Sequence, residues 1–67
     1  MTTKYIGPNK YRYRYFKSPL GFTKLLLDVF IHPKYVNIAE YNLADGHTDE
    51  QIESFVKAEC RRIENLK

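Results

Sequence analysis

Arg12 and Arg14 stand two residues apart, with Lys10, Lys17, Lys24, Phe16 and Phe30 close by in the chain. Guanidinium and ammonium groups neutralise phosphates or meet carboxylates, and phenylalanine rings stack on bases or wedge between them. These residues form the candidate binding set, and their chemistry is recognition rather than bond-making.

Groups suited to catalysis or metal binding are present but scattered. His32, His47, Cys60, Asp28, Asp45 and Glu40 could supply acid–base or ligand atoms, yet no spacing among them dictates a shared geometry. No glycine-rich phosphate loop and no Cys/His metal motif occurs in the sequence. The expectation is therefore no enzyme, no cofactor and no metal site. Cys60 falls at the boundary of an apolar helical stripe and reads as a small buried hydrophobe. Arg61 and Arg62 read as complements to a helix dipole, and Glu53 with Lys57 as an i,i+4 pair.

The binding set depends on strands to position it. In Tyr11-Arg12-Tyr13-Arg14-Tyr15 the residue types alternate with a period of two, sending tyrosines to one face and arginines to the other. Thr23, Leu25, Leu27, Val29 and Ile31 alternate likewise with Phe22, Lys24, Leu26, Asp28 and Phe30. Between these runs Pro19 presets φ for a turn and Gly21 can take positive φ, which suits a three-residue hairpin loop with a bulge at the glycine. Pairing Ser18 with Phe22 sets Tyr15 opposite Leu25, Tyr13 opposite Leu27 and Tyr11 opposite Val29 on the core face. Arg12 then meets Asp28, Arg14 meets Leu26 and Phe16 meets Lys24 on the other face. A helix over residues 19–31 is the competitor, opposed by Gly21, by Val29, Phe30 and Ile31, and by the clean alternation.

Farther along, His32-Pro33-Lys34-Tyr35 breaks the alternation, and a four-residue loop there would let Ile31 face Val36. A third strand is expected over residues 35–41. Leu43 to His47 leads into a helix over residues 49–65, with Thr48 as N-cap, Gln51 completing a capping box, and Asp49 and Glu50 in the first turn. Ile52, Phe55, Val56, Glu59 or Cys60, Ile63 and Leu66 recur at helical spacing as its apolar stripe.

The architecture expected is α+β: a three-stranded antiparallel β-meander with one C-terminal helix packed on one face, in the order β-β-β-α. Residues 1–10 read as a flexible or loosely docked arm, in which Tyr5-Ile6 could extend an edge strand that the turn cluster Gly7-Pro8-Asn9 interrupts, and residues 11–67 as a single domain. One helix covers one face. The opposite face is expected to display Arg12, Arg14, Phe16, Lys24, Leu26, Asp28, Phe30, Asn37, Ala39 and Tyr41.

A chain of 67 residues can bury only a small core. A single cysteine allows no intramolecular disulfide, which points to a reducing, cytoplasmic setting. No apolar run is longer than three residues, as in Leu25-Leu26-Leu27, which is too short to span a membrane. The net charge of +3 hides an asymmetry: residues 1–27 carry six basic side chains and no acidic one, and the remainder five basic and eight acidic. Such division gives a polarised field that bears on partner choice.

The β-β-β-α order across residues 11–65 is similar to two groups of DNA-binding domain, the plant AP2 type and the N-terminal arm-binding domains of tyrosine recombinases, which lay a three-stranded sheet in the major groove. The tryptophan, arginine and glycine pattern of the AP2 strands is absent, so the similarity transfers no binding residue. The function expected is a non-enzymatic nucleic-acid-binding module, DNA favoured, acting as a monomer or weak homodimer through Arg12, Arg14, Lys24, Phe16 and Phe30, flanked by Lys10 and Lys17. The rival is a small inhibitor or adaptor, of the kind mobile elements and phages encode, docking the same face on an acidic protein surface. A third reading is a solvated edge strand protected by its charge.

Overall fold

A computed structural model describes residues 1–44 and 47–66. Strands β1 (Thr2–Ile6), β2 (Tyr11–Lys17), β3 (Phe22–Ile31) and β4 (Lys34–Ala44) precede helix α1 (Asp49–Asn65). The strands form one antiparallel sheet in the order β1-β2-β3-β4. The expected three-stranded meander is thus four-stranded, and the additional strand comes from the stretch read as an arm.

The reason lies in the turn cluster. Gly7-Pro8-Asn9-Lys10 folds the chain back rather than merely interrupting it: the Lys10 amide donates to the Gly7 carbonyl at 2.9 Å, and Asn9 takes φ 69°. Proline at the second position and asparagine with positive φ at the third are the demands of a type II turn. Ile6 is thereby set against Tyr11, and Thr2 against Tyr15.

The β2–β3 hairpin has the expected loop. The Gly21 amide donates to Ser18 O at 3.1 Å, the Ser18 amide donates to Phe22 O at 2.7 Å, and Gly21 has φ 91°. Its register is the expected one, with Tyr13 opposite Leu27 and Arg12 opposite Asp28. The helical alternative for residues 19–31 is excluded, because residues 22–31 are strand.

The third expected strand differs in three respects. β4 runs from Lys34 to Ala44 rather than over residues 35–41. Ile31 faces Lys34 across the two-residue loop His32-Pro33, not Val36 across a longer one. The tighter loop places Phe30 opposite Tyr35 and Val29 opposite Val36, an aromatic and a β-branched cross-strand pair of the kind that stabilises sheets. Thirdly, the ladder slips between Leu27 and Asp28: Asp28 pairs with Asn37 and Leu27 with Ala39, leaving Ile38 as the extra residue of a β-bulge. One extra residue inverts the alternation beyond it. Ala39 and Tyr41, expected on the face away from the helix, pack instead against the core beneath it, whereas Asn37 keeps its expected side.

Helix α1 covers one sheet face with Ile52, Val56 and Cys60, which close over Tyr11, Tyr13, Tyr15, Leu25 and Leu27. Phe55 and Ile63 flank this core, and Leu66 is 74% exposed and takes no part in it. Two tyrosines at this interface reach acids on the helix: Tyr11, in the core, donates to Glu64 at 2.6 Å, and Tyr41, packed against it, donates to Glu59 at 2.9 Å. Burial, aided by the neighbouring Glu64 carboxylate, pushes the Tyr11 phenol up to about 12. The capping box is complete, with the Thr48 hydroxyl accepting from the Gln51 amide and the Gln51 side chain accepting from the Thr48 amide. Thr48→Ala should therefore cost about 1 kcal/mol, measured as a lower midpoint in a denaturant melt with unchanged slope. Among the described residues no helix is long and apolar enough to cross a membrane.

Candidate nucleic-acid interface

Among the described residues no helix lies over the second sheet face. Because β1–β2–β3 alternate in register, Thr3, Tyr5, Arg12, Arg14, Phe16, Lys24, Leu26, Asp28 and Phe30 share this side. From β4 it receives Tyr35, Asn37 and, beyond the bulge, Glu40.

Asp28 organises its centre. The residue is 0% exposed although it points away from the helix, and its burial comes from its own face. Arg12 Nε donates to Asp28 Oδ2 at 2.9 Å; Arg14 donates through Nε to Oδ2 at 3.0 Å and through Nη2 to Oδ1 at 3.1 Å. Asn37 Nδ2 donates to Oδ1 at 3.1 Å and also to the Leu27 carbonyl. Burial alone would raise the carboxyl's pKa, but the hydrogen bonds from Arg12, Asn37 and Arg14 together with the Arg14 charge outweigh it and hold the group below the ordinary carboxylate value. Two guanidiniums on one carboxylate leave one positive charge unmatched. The side chains of Arg12 and Arg14 are 27% and 29% exposed, so that charge faces solvent.

An aromatic cluster occupies the end of this face near the β1–β2 turn. Tyr35 leans across the sheet so that its hydroxyl donates to the Asn9 carbonyl at 2.6 Å. The Arg12 guanidinium carbon lies 4.6 Å from the Tyr35 ring centroid. Phe30 meets that ring edge-on at 5.1 Å and Tyr5 lies 5.9 Å away. His32 adds an edge contact to Phe30 at 6.1 Å. Phe30 remains 41% and Tyr5 53% exposed. Pro8, Asn9, Lys10, Phe30 and Tyr35 line an open recess beside the cluster.

The residues singled out in the sequence divide accordingly. Arg12, Arg14 and Phe30 come together. Lys24 shares their face and pairs with Glu40 at 3.4 Å. Phe16 lies opposite Lys24, six residues along β3 from Phe30 and so roughly 20 Å away. Lys10 lines the recess while its ammonium bonds to Glu64 of the helix. Lys17 pairs with Thr23 and so belongs to the helix-side set of β2. Tyr5 and Tyr35 were not legible as site residues. Tyr5-Ile6 could extend an edge strand, but its pairing with β2 through the Gly7-Pro8-Asn9-Lys10 turn, which brings Tyr5 to this face, was not drawn from the sequence, although proline followed by asparagine before an alternating run is a hairpin signal.

The acid–base candidates stay apart. Glu40 pairs with Lys24, Cys60 lies in the core with its thiol pushed up by burial, and His47 Nδ1 contacts the Ala44 carbonyl at 2.6 Å. Asp45 lies outside the described residues. Among the described residues no group of three His, Cys, Asp or Glu side chains could hold a metal ion. On the helix, Arg62 bonds Glu59 and Lys57 lies 3.5 Å from Glu53.

Fold and site define an open-faced α+β module, with one sheet face closed by a helix and the other carrying an arginine pair beside exposed rings. Comparison with protein-family models, curated proteins and solved structures finds no match for the chain.

Proposed function

We propose that this chain is a non-enzymatic nucleic-acid-binding module that uses its open sheet face. The observation that carries the reading is the Arg12–Arg14 pair, held side by side by one buried carboxylate and flanked by exposed rings. Arginine loses rotamer freedom on binding, and Asp28 has already removed much of it. The unmatched charge attracts phosphate, the ring faces offer stacking surface, and the single thiol suits a cytoplasmic setting.

Fluorescence anisotropy with labelled oligonucleotides at two salt concentrations tests this. Arg12→Ala and Arg14→Ala should each weaken binding and reduce the salt slope by about one phosphate contact, while Arg61→Ala should change little. Thermal melts of each variant separate a binding loss from unfolding. Absence of binding by the folded wild type at low salt would overturn the reading.

A second reading has its own observation. Lys24 is matched by Glu40, and Arg12 and Arg14 share Asp28, so much of the charge on this face is internally compensated. Phe16, Phe30 and Tyr5 nonetheless remain exposed, and aromatic and arginine side chains are the usual anchors of protein interfaces. An inhibitor or adaptor docking this face on an acidic protein surface would bind with a shallow salt dependence.

A further inference from the structure

We infer that the open face takes single-stranded rather than double-stranded nucleic acid, with one base seated in the recess between the β1–β2 turn and the rings of Phe30 and Tyr35. This rests on the nucleic-acid reading above and names the form of ligand.

The first argument concerns the arginines. Reading guanine in a major groove takes a paired N–H edge of an arginine that extends from the protein to O6 and N7. Arg14 spends its Nε–Nη2 edge on the two oxygens of Asp28, and Arg12 gives its Nε to the same carboxylate while its guanidinium lies over Tyr35. Each guanidinium keeps its outer Nη1–Nη2 edge, but with only 27% and 29% of their side chains exposed both are tied down on the sheet rather than extended from it as groove reading requires. What they still offer is positive charge and the remaining N–H donors, which suit phosphate.

The second argument concerns the rings. A duplex hides its base faces within its own stack, whereas a single strand presents them. Tyr35 is fixed by its hydrogen bond to Asn9 and by contact with Arg12, Phe30 and Tyr5. Phe30 stands beside it, 41% exposed, at the wall of a recess whose other side is Pro8, Asn9 and Lys10. A planar, partly apolar base can stack on the exposed Phe30 ring at the wall of this recess. Arg12 next to it matches a phosphate beside that base, while the Lys10 ammonium is engaged by Glu64 of the helix.

The experiment compares a short mixed-sequence oligonucleotide, as DNA and as RNA, with a hairpin duplex of the same sequence, all by anisotropy. A second single strand carries 2-aminopurine, whose fluorescence falls when it stacks on an aromatic ring. The wild type should bind the single strands more tightly than the hairpin and quench the 2-aminopurine. Phe30→Ala should weaken single-strand binding roughly tenfold and abolish the quench, Phe30→Trp should restore both, and Phe16→Ala should leave the quench intact. Equal or tighter binding of the hairpin, or an unquenched probe on the wild type, overturns this inference while leaving the nucleic-acid reading standing. Failure to bind either form overturns both. The strand comparison and the quench on wild type stand even if Phe30→Ala fails to fold.

Discussion

Leu27→Ala is expected to destabilise the domain by about 2–5 kcal/mol, and with so small a core the variant will be largely unfolded at room temperature. Leu27 is 0% exposed, sits opposite Tyr13 on one side and Ala39 on the other, and belongs to the cluster that Ile52, Val56 and Cys60 close. Removing its branched end leaves a cavity beneath the helix that the close-packed rings of the neighbouring strand fill only by shifting out of their own packing. Far-ultraviolet circular dichroism with urea titration measures the effect. A shift no larger than that of Thr48→Ala would show that Leu27 is not in the core.

Asp28→Ala should cost about 3 kcal/mol, the lower end of the range for breaking a buried charge pair, because its arginine partners retain some contact with water. It removes one carboxylate that receives hydrogen bonds from Arg12, Arg14 and Asn37 and leaves two guanidiniums side by side without a counterion. The same group governs acid stability. Its folded-state pKa is depressed, so its contribution is fully present above the unfolded carboxylate value of about 4 and is lost as pH falls through the lower folded value. Melts of wild type and Asp28→Asn across this acid range should converge as pH falls, the variant having less stability to lose. Parallel curves would mean that Asp28 carries no such linkage.

These neighbours on β3 point to opposite faces, and the alternation that separates them was readable along the chain. So were the β2–β3 register, because a Pro19-Leu20-Gly21 loop admits few pairings, and helix α1, because its cap residues and apolar stripe are local features. The arginines, Phe16, Lys24 and Phe30 were placed on one face by the same period-two rule. Residues 2–6 escaped that reading because a short strand with little buried surface is recognisable only by what it pairs with.

Tertiary structure alone decided the rest. The Ile38 bulge inverts the facing of Ala39 and Tyr41, and no period in the sequence announces it, since it accommodates both the Asp28–Asn37 bond on one face and the Leu27–Ala39 packing on the other. The pairing Arg12–Asp28 followed from register, but the second arginine on the same carboxylate did not, because a diagonal contact depends on how side chains lean across the sheet. Tyr35 reaching over Arg12 to the Asn9 carbonyl belongs to the same class. Local alternation determines which face a side chain occupies; its partner there is set by cross-strand distances, twist and bulges that exist only once the sheet is assembled.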